Sequence, residues 1–164
     1  MATTTVERFL KRLRAPYELI EHRPTATSAE TAAVAHVPPQ RFAKAVVVED
    51  DRHYLLVVIP ATHRLELGVL HERLGRHVGL ATEAEARGLF PDCEAGALPA
   101  LGQAYGLDVL VDDALLDGGD VYLEAGDATH LLHLPGADFA QLMQDAPHGR
   151  FSEAGSRWAA ARGR

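Results

Sequence analysis

Two apolar runs set close together constrain this chain most. Phe42–Val48 and His53–Ile59 are rich in β-branched and aromatic residues, and only Glu49-Asp50-Asp51-Arg52 separates them. Such a pair joined by a short polar turn predicts a β-hairpin, and the rest of the fold must be arranged around it. Upstream, Val6, Phe9, Leu10 and Leu13 recur at helical spacing, and Tyr17–Glu21 reads as a short strand. Thr27 with Glu30 three positions on has capping-box spacing, so a helix is expected over 29–36, stopped by Pro38 and Pro39. Downstream, 65–74 reads as a helix, 77–81 as a brief strand, and Thr82 with Glu85 as the start of another helix. From Phe90 to Gly106 periodicity gives way to prolines and glycines, which predicts a structured loop. Runs at 107–111, 121–124 and 131–134 read as strands and 137–144 as a closing helix. This mixed order predicts an α+β fold: a compact single domain with a central mixed or antiparallel sheet, or partial barrel, surrounded by helices. The domain is expected to span 1–146. Residues 147–164, with scattered glycines, basic residues and Trp158 as the one large apolar anchor, are expected to form a flexible tail.

Composition narrows the function classes. At 164 residues the chain suits one domain, and 47% hydrophobic with 24% charged residues is ordinary for a folded globular protein. No run reaches the roughly 20 apolar residues of a membrane helix, so no membrane association is expected and a cytoplasmic location is. The net charge of −7 argues against a protein that coats nucleic acid. Any RNA contact must be local, with Arg8, Arg12, Arg14, Arg150, Arg157, Arg162 and Arg164 as candidates. Nine histidines invite a metal search, yet there is no His-Glu-x-x-His, and His130 and His133 would point to opposite faces of a strand. Neither a metal nor an organic cofactor is expected. The single cysteine, Cys93, lies in no protease-type signature, and Gly-x-Ser-x-Gly and phosphate-loop motifs are missing.

Lys44 stands out among the remaining candidates. The chain has two lysines against 14 arginines, and Lys44 falls inside Phe42-Ala-Lys-Ala-Val-Val-Val48, where alternation puts it on the face of Phe42, Val46 and Val48. A lysine there either snorkels at a sheet edge or points into a ligand pocket. In Cys93-Glu-Ala-Gly-Ala-Leu-Pro-Ala-Leu-Gly102, glycines let main-chain amides approach a ligand and Pro99 stiffens the path. Such amides can hold an oxyanion, although most Gly/Pro loops merely turn the chain. Gly126 is either a turn glycine or a point where substrate lies against backbone.

Taken together, His22-Arg-Pro-Thr-Ala-Thr27, Ala43-Lys-Ala-Val-Val-Val48, the segment from Phe90 to Gly102 and Ala125-Gly126 resemble the YbaK/EbsC family. That family comprises the editing domain inserted in bacterial-type prolyl-tRNA synthetases and its free-standing relatives. The resemblance covers about residues 5–145. It implies hydrolysis of the ester between a wrong amino acid and the 3′-terminal adenosine of tRNA, with mischarged aminoacyl-tRNA as partner and a synthetase as a second candidate partner. It implies catalytic roles for Lys44, the family's pocket lysine, and for Gly96 in the Gly/Pro loop. Substrate contacts are expected from His22, Thr27, Ala97, Pro99, Gly102 and Gly126. Two departures stand out. The family loop is often Gly-x-x-x-Pro, whereas two residues separate Gly96 from Pro99. Stand-alone relatives often carry Asn-Ala-Gly-Thr-His where this chain has Glu124-Ala-Gly-Asp-Ala128. An activated ester needs chiefly an oriented water and a stabilised oxyanion, which fits the missing triads. The rival reading is a non-catalytic module of the same fold that binds an aminoacyl or nucleotide-like ligand.

Overall fold

The computed structural model describes residues 4–155. In chain order they form α1 (Thr5–Arg12), β1 (Glu18–Glu21), α2 (Ser28–Val34), β2 (Phe42–Glu49), β3 (Tyr54–Pro60), β4 (His63–Leu65), α3 (Leu67–Leu74), β5 (Gly79–Leu80), α4 (Glu83–Leu89), β6 (Asp108–Asp112), β7 (Val121–Glu124), β8 (His130–Leu134), α5 (Gly136–Leu142), β9 (His148–Gly149) and β10 (Ser152–Ala154). The fold is α+β, and its main sheet runs β1-β8-β7-β2-β3-β6-β9 with β5 on a remaining stretch of β2. The sheet is mixed: β2·β3, β7·β8 and β1·β8 are antiparallel, while β2·β7, β3·β6 and β6·β9 are parallel.

The expected hairpin lies at its centre, in register from Ala43 opposite Pro60 to Glu49 opposite Tyr54. Its turn is closed by Asp50, whose carboxylate accepts from the main-chain N–H groups of Arg52 (2.8 Å) and His53 (2.9 Å). Those bonds, with Arg76 alongside, hold the Asp50 carboxyl well below the usual range. Helix starts follow the threonines: Thr4, Thr27 and Thr82 each accept a main-chain hydrogen bond at an N-terminus, and Thr82 with Glu85 completes a reciprocal capping box.

One face of the sheet, presenting Ala43, Val47, Leu56, Val58, Val109, Val111, Leu123 and Leu132, packs on Val6 and Leu10 of α1, Phe139 of α5, Phe90 and Leu101. The opposite face is covered in two separate patches. Val48, Val57, Ile59 and Leu110 pack on Leu70 of α3 and on Phe151, whereas Phe42 and Leu131 pack on Ala32 of α2 and on Val37. Between these patches lies Lys44, on the same face by alternation and itself exposed.

The C-terminal part corrects one expectation. Residues 147–155 are not a loose tail: β9 pairs with β6, β10 pairs with β4, and Phe151 is fully buried. Buried Asp112 accepts from Phe151 N (2.9 Å) and Ser152 Oγ (2.7 Å), so the segment is tied by side-chain and main-chain bonds at once. The glycines and charges of this stretch masked a single apolar anchor, and that anchor is Phe151. Trp158, with Arg157, Arg162 and Arg164, lies outside the described residues. Smaller differences are that β4 precedes α3, where a helix was expected from Leu65, and that the loop before β6 contains a 3-10 turn at Gly102–Tyr105.

Candidate active site

The parallel ladder between β2 and β7 pairs Phe42 with Tyr122 and Ala43 with Leu123 and goes no further. Beyond it the next residue of each strand, Lys44 and Glu124, lines a cavity of about 300 Å³. The floor is Phe42 and Ala43, one wall is His22 with the Thr25–Ser28 segment and Thr31 of α2, and the rim is Ala95–Leu98 with Ala128. Volumes of roughly 300–1,000 Å³ are typical of small-molecule sites, so this one is of a size for an aminoacyl group and its ester.

His22, Thr27, Lys44, Gly96 and Ala97 therefore meet around one space. Lys44 has no hydrogen-bond or ion-pair partner among the described residues, so its ammonium is available to a ligand. His22 is buried, with 8% of its surface exposed, and its Nδ1 lies 2.8 Å from the Arg23 carbonyl oxygen. A carbonyl only accepts, so Nδ1 carries a proton, and a ring with that single proton offers Nε2 as an acceptor. Nε2 is buried and without a partner among the described residues, a condition that normally indicates an absent ligand or water. Thr27 is committed to local structure, because its hydroxyl oxygen accepts from Glu30 N (3.1 Å) to cap α2.

At the rim, Gly96 has φ +81°, a conformation that favours glycine, and a Cβ there would meet open space. The loop is held from below. Glu94 N donates to the Gly126 carbonyl (2.8 Å), Ala97 N donates to the Glu94 carbonyl (3.1 Å), and the Glu94 carboxylate accepts from Ala128 N (2.5 Å). Among the described residues the N–H groups of Gly96 and Leu98 have no protein acceptor, as an oxyanion-binding loop requires.

Three expected contacts fall elsewhere. Gly102 does not line the cavity: a Cβ on it would lie 2.8 Å from Val109 Cγ2 and 3.0 Å from Leu56 Cδ2, so its smallness serves the core. Pro99 is buried behind the loop. Gly126 sits in the β7–β8 turn at φ +105°, where a Cβ would press on Cys93 Sγ at 3.2 Å; it lets the two loops dock and does not reach the cavity wall.

Sequence reasoning missed the weight of Glu124. Burial, and next the negative charge of Asp127, push its carboxyl up to about 8. For Asp127 burial acts the same way but is outweighed by hydrogen bonds from Thr129 N (2.9 Å) and His130 Nδ1 (3.0 Å), which keep it below the ordinary value. The strand pattern identifies the side Glu124 takes within β7, but only the β2·β7 pairing places it beside Lys44. Thr25 and Thr31 were likewise missed because their proximity depends on how α2 packs.

Cys93 is no nucleophile in waiting. Burial pushes its thiol up to about 12, and the sulfur lies against Tyr105 Oη (3.2 Å) and Asp92. Among the described residues there is no group of three or more His, Cys, Asp or Glu side chains placed to hold a metal ion, and no helix is long and apolar enough to cross a membrane.

Comparison with known proteins agrees with this geometry. Residues 22–142 match the model of the aminoacyl-tRNA editing domain. The crystal structure of a hypothetical protein, APE2540, is 28% identical, with a TM-score of 0.81 over 91% of this chain and 99% of that one. A candidate signal transduction protein from Marinobacter aquaeolei VT8 is 25% identical with a TM-score of 0.71, over 90% of this chain but 30% of that one. A candidate trans-editing enzyme for prolyl tRNA synthetase shares the fold at 21% identity, with a TM-score of 0.78 over 94% of this chain and all of the other, 100%. No curated protein matches significantly. With the family model spanning β2 through β8, α2 and every residue that lines the cavity, the chain belongs to the aminoacyl-tRNA editing domain family.

Proposed function

We propose that this protein is a trans-acting deacylase: it hydrolyses the ester linking a wrong amino acid to the 3′-terminal ribose of tRNA, in the cytoplasm where tRNA is charged. The observation that carries this reading is the cavity itself: a space of about 300 Å³ is lined both by Lys44 and by a glycine-bearing loop, and among the described residues neither the lysine ammonium nor the N–H groups of Gly96 and Leu98 have a protein partner. The unit responsible is a single editing domain. Lys44 attracts the anionic RNA end and orients the ester. Water attacks the carbonyl carbon, and the oxygen that gains negative charge is received by the main-chain N–H groups at Gly96 and Leu98. The bond to the ribose oxygen then breaks, releasing free amino acid and intact tRNA. A free ribose hydroxyl positions the water, as the resemblance to the YbaK/EbsC family implies. The little bulk of the loop at Gly96 and Ala97 favours a small or medium side chain. Neither a thiol nucleophile nor a protein-held metal has a part in these steps.

The test is a panel of tRNAs, each charged with a non-cognate amino acid, incubated with the purified protein in chelator. Release of at least one amino acid well above spontaneous hydrolysis is expected. Rates equal to spontaneous hydrolysis across the panel, with saturable binding retained, would leave a binding module of the same fold.

A further inference from the structure

The wall beside Lys44 carries a feature that ester hydrolysis alone does not require. Along β7 the side chains of Tyr122 and Glu124 share a face, as do Phe42 and Lys44 along β2, and the two pairs are set side by side by the parallel register. On the far side, Glu124 lies opposite Leu131 of β8, and the chain just past β1 binds β8 again through His22 N to the Thr129 carbonyl (2.8 Å). Thr129 and Leu131 are two residues apart, so His22 and Glu124 stand on the same sheet face at the same end. Both line the cavity.

What they offer is chemically alike. His22 Nε2 is a buried acceptor with no partner. The Glu124 carboxyl has no hydrogen bond or ion pair among the described residues, and Lys44, although adjacent in register, does not form an ion pair with it. A group carrying several N–H donors and a positive charge would satisfy both at once, whereas an anionic phosphate or carboxylate brings no hydrogen for His22 Nε2 to accept. Resting on the deacylase reading, we propose that Glu124 and His22 form the subsite for the α-ammonium of the aminoacyl group, with Lys44 and the 95–98 loop taking the ester and RNA end.

The wall thus sets the direction in which the substrate lies. Its α-ammonium faces β7 and β1, its ester carbonyl faces the loop, and its ribose leaves past Lys44. The raised carboxyl of Glu124 is consistent with this: burial and the charge of Asp127 disfavour its anion, and a cation beside it would favour that anion. A cationic amino-acid side chain offers the same chemistry as an α-ammonium, so the probe must separate the two.

Alanine has no side-chain amine. The probes are therefore a non-hydrolysable amide analogue of the alanylated 3′-adenosine and its N-acetyl derivative, titrated calorimetrically into the parent and into Glu124→Gln. The parent should bind the free amine at least about tenfold more tightly than the N-acetyl form, and Glu124→Gln should bring the ratio to roughly one by weakening only the free amine. The same ratio in both proteins, or no preference in the parent, overturns the subsite. If the parent deacylates tRNA without such a preference, the subsite alone falls; if it neither deacylates nor binds either probe, the deacylase reading falls with it.

Discussion

Replacing Glu124 by glutamine should stabilise this protein, by an amount that grows with pH. A glutamate free in the unfolded chain loses its proton near its ordinary value of 4.5, whereas burial and Asp127 hold the folded carboxyl at about 8. Between those values the native state binds more protons than the unfolded state, so unfolding free energy falls as pH rises. The contribution of Glu124 is fully present below about 4.5 and is lost by about 8. Each pH unit of displacement corresponds to about 1.4 kcal/mol, which sets a ceiling of about 5 kcal/mol above pH 8. The carboxyl borders an open cavity, where water screens part of that cost, and about 2 kcal/mol is expected to survive. Glutamine matches the shape and does not titrate. The repulsion between Glu124 and Asp127 is part of the effect, because glutamine removes it. Urea denaturation at pH 4.5, 6, 7 and 8.5 reads the effect directly. The curves of Glu124→Gln and the parent should differ by a small constant at the lowest pH. They should then separate to about 1 M in midpoint at the highest, given a slope of roughly 2 kcal/mol per molar for a domain of this size. A difference that stays constant across the series would refute the buried, unpaired state assigned to Glu124.

Four further outcomes follow from where side chains pack. Gly102→Val should cost about 1–3 kcal/mol, because the added atoms run into Val109 and Leu56. Gly96→Val should instead lower turnover more than stability: an added Cβ meets no neighbour, but valine strains the positive φ and so shifts the loop that lines the cavity; kcat and thermal melts on both variants separate the two. Phe151→Ala should destabilise the domain by about 3 kcal/mol in urea titrations, whereas an unchanged midpoint would return this segment to the status of a loose tail. Deacylation at neutral pH should survive thiol alkylation under native conditions, because Cys93 with its thiol pushed up to about 12 is almost entirely protonated there; stoichiometric loss of activity on modification would contradict this.

Much of the fold was legible because local chemistry specifies it. The β2–β3 hairpin follows from two apolar runs and a polar turn, α4 from Thr82 and Glu85, and β7 from the strand-like run Val121-Tyr-Leu-Glu124. Long-range pairing left less trace. That β2 meets β7 in parallel, and that the ladder stops at Ala43, depends on packing across the whole sheet, and with it goes the placement of Glu124 beside Lys44. Glycines show the same division. The sequence marks Gly96, Gly102 and Gly126 alike as departures from periodicity, but one borders the cavity, one fills a gap in the core and one lets two loops meet. The C-terminal strands escaped because β9 and β10 span only His148–Gly149 and Ser152–Ala154, too short for a periodic signal.

The central claim is that Lys44 serves substrate and not the sheet, and single-turnover deacylation by Lys44→Ala tests it most directly. Lys44 is exposed on the cavity and has no protein partner among the described residues, so the melting temperature should hardly move. Deacylation of a mischarged tRNA that the parent clears should fall by at least about tenfold, equal to about 1.4 kcal/mol of transition-state stabilisation. Lys44→Arg should recover part of that loss, because the guanidinium keeps the charge but carries it on a longer, planar group. Full activity in Lys44→Ala on such a tRNA would make Lys44 an edge-strand lysine and contradict the account.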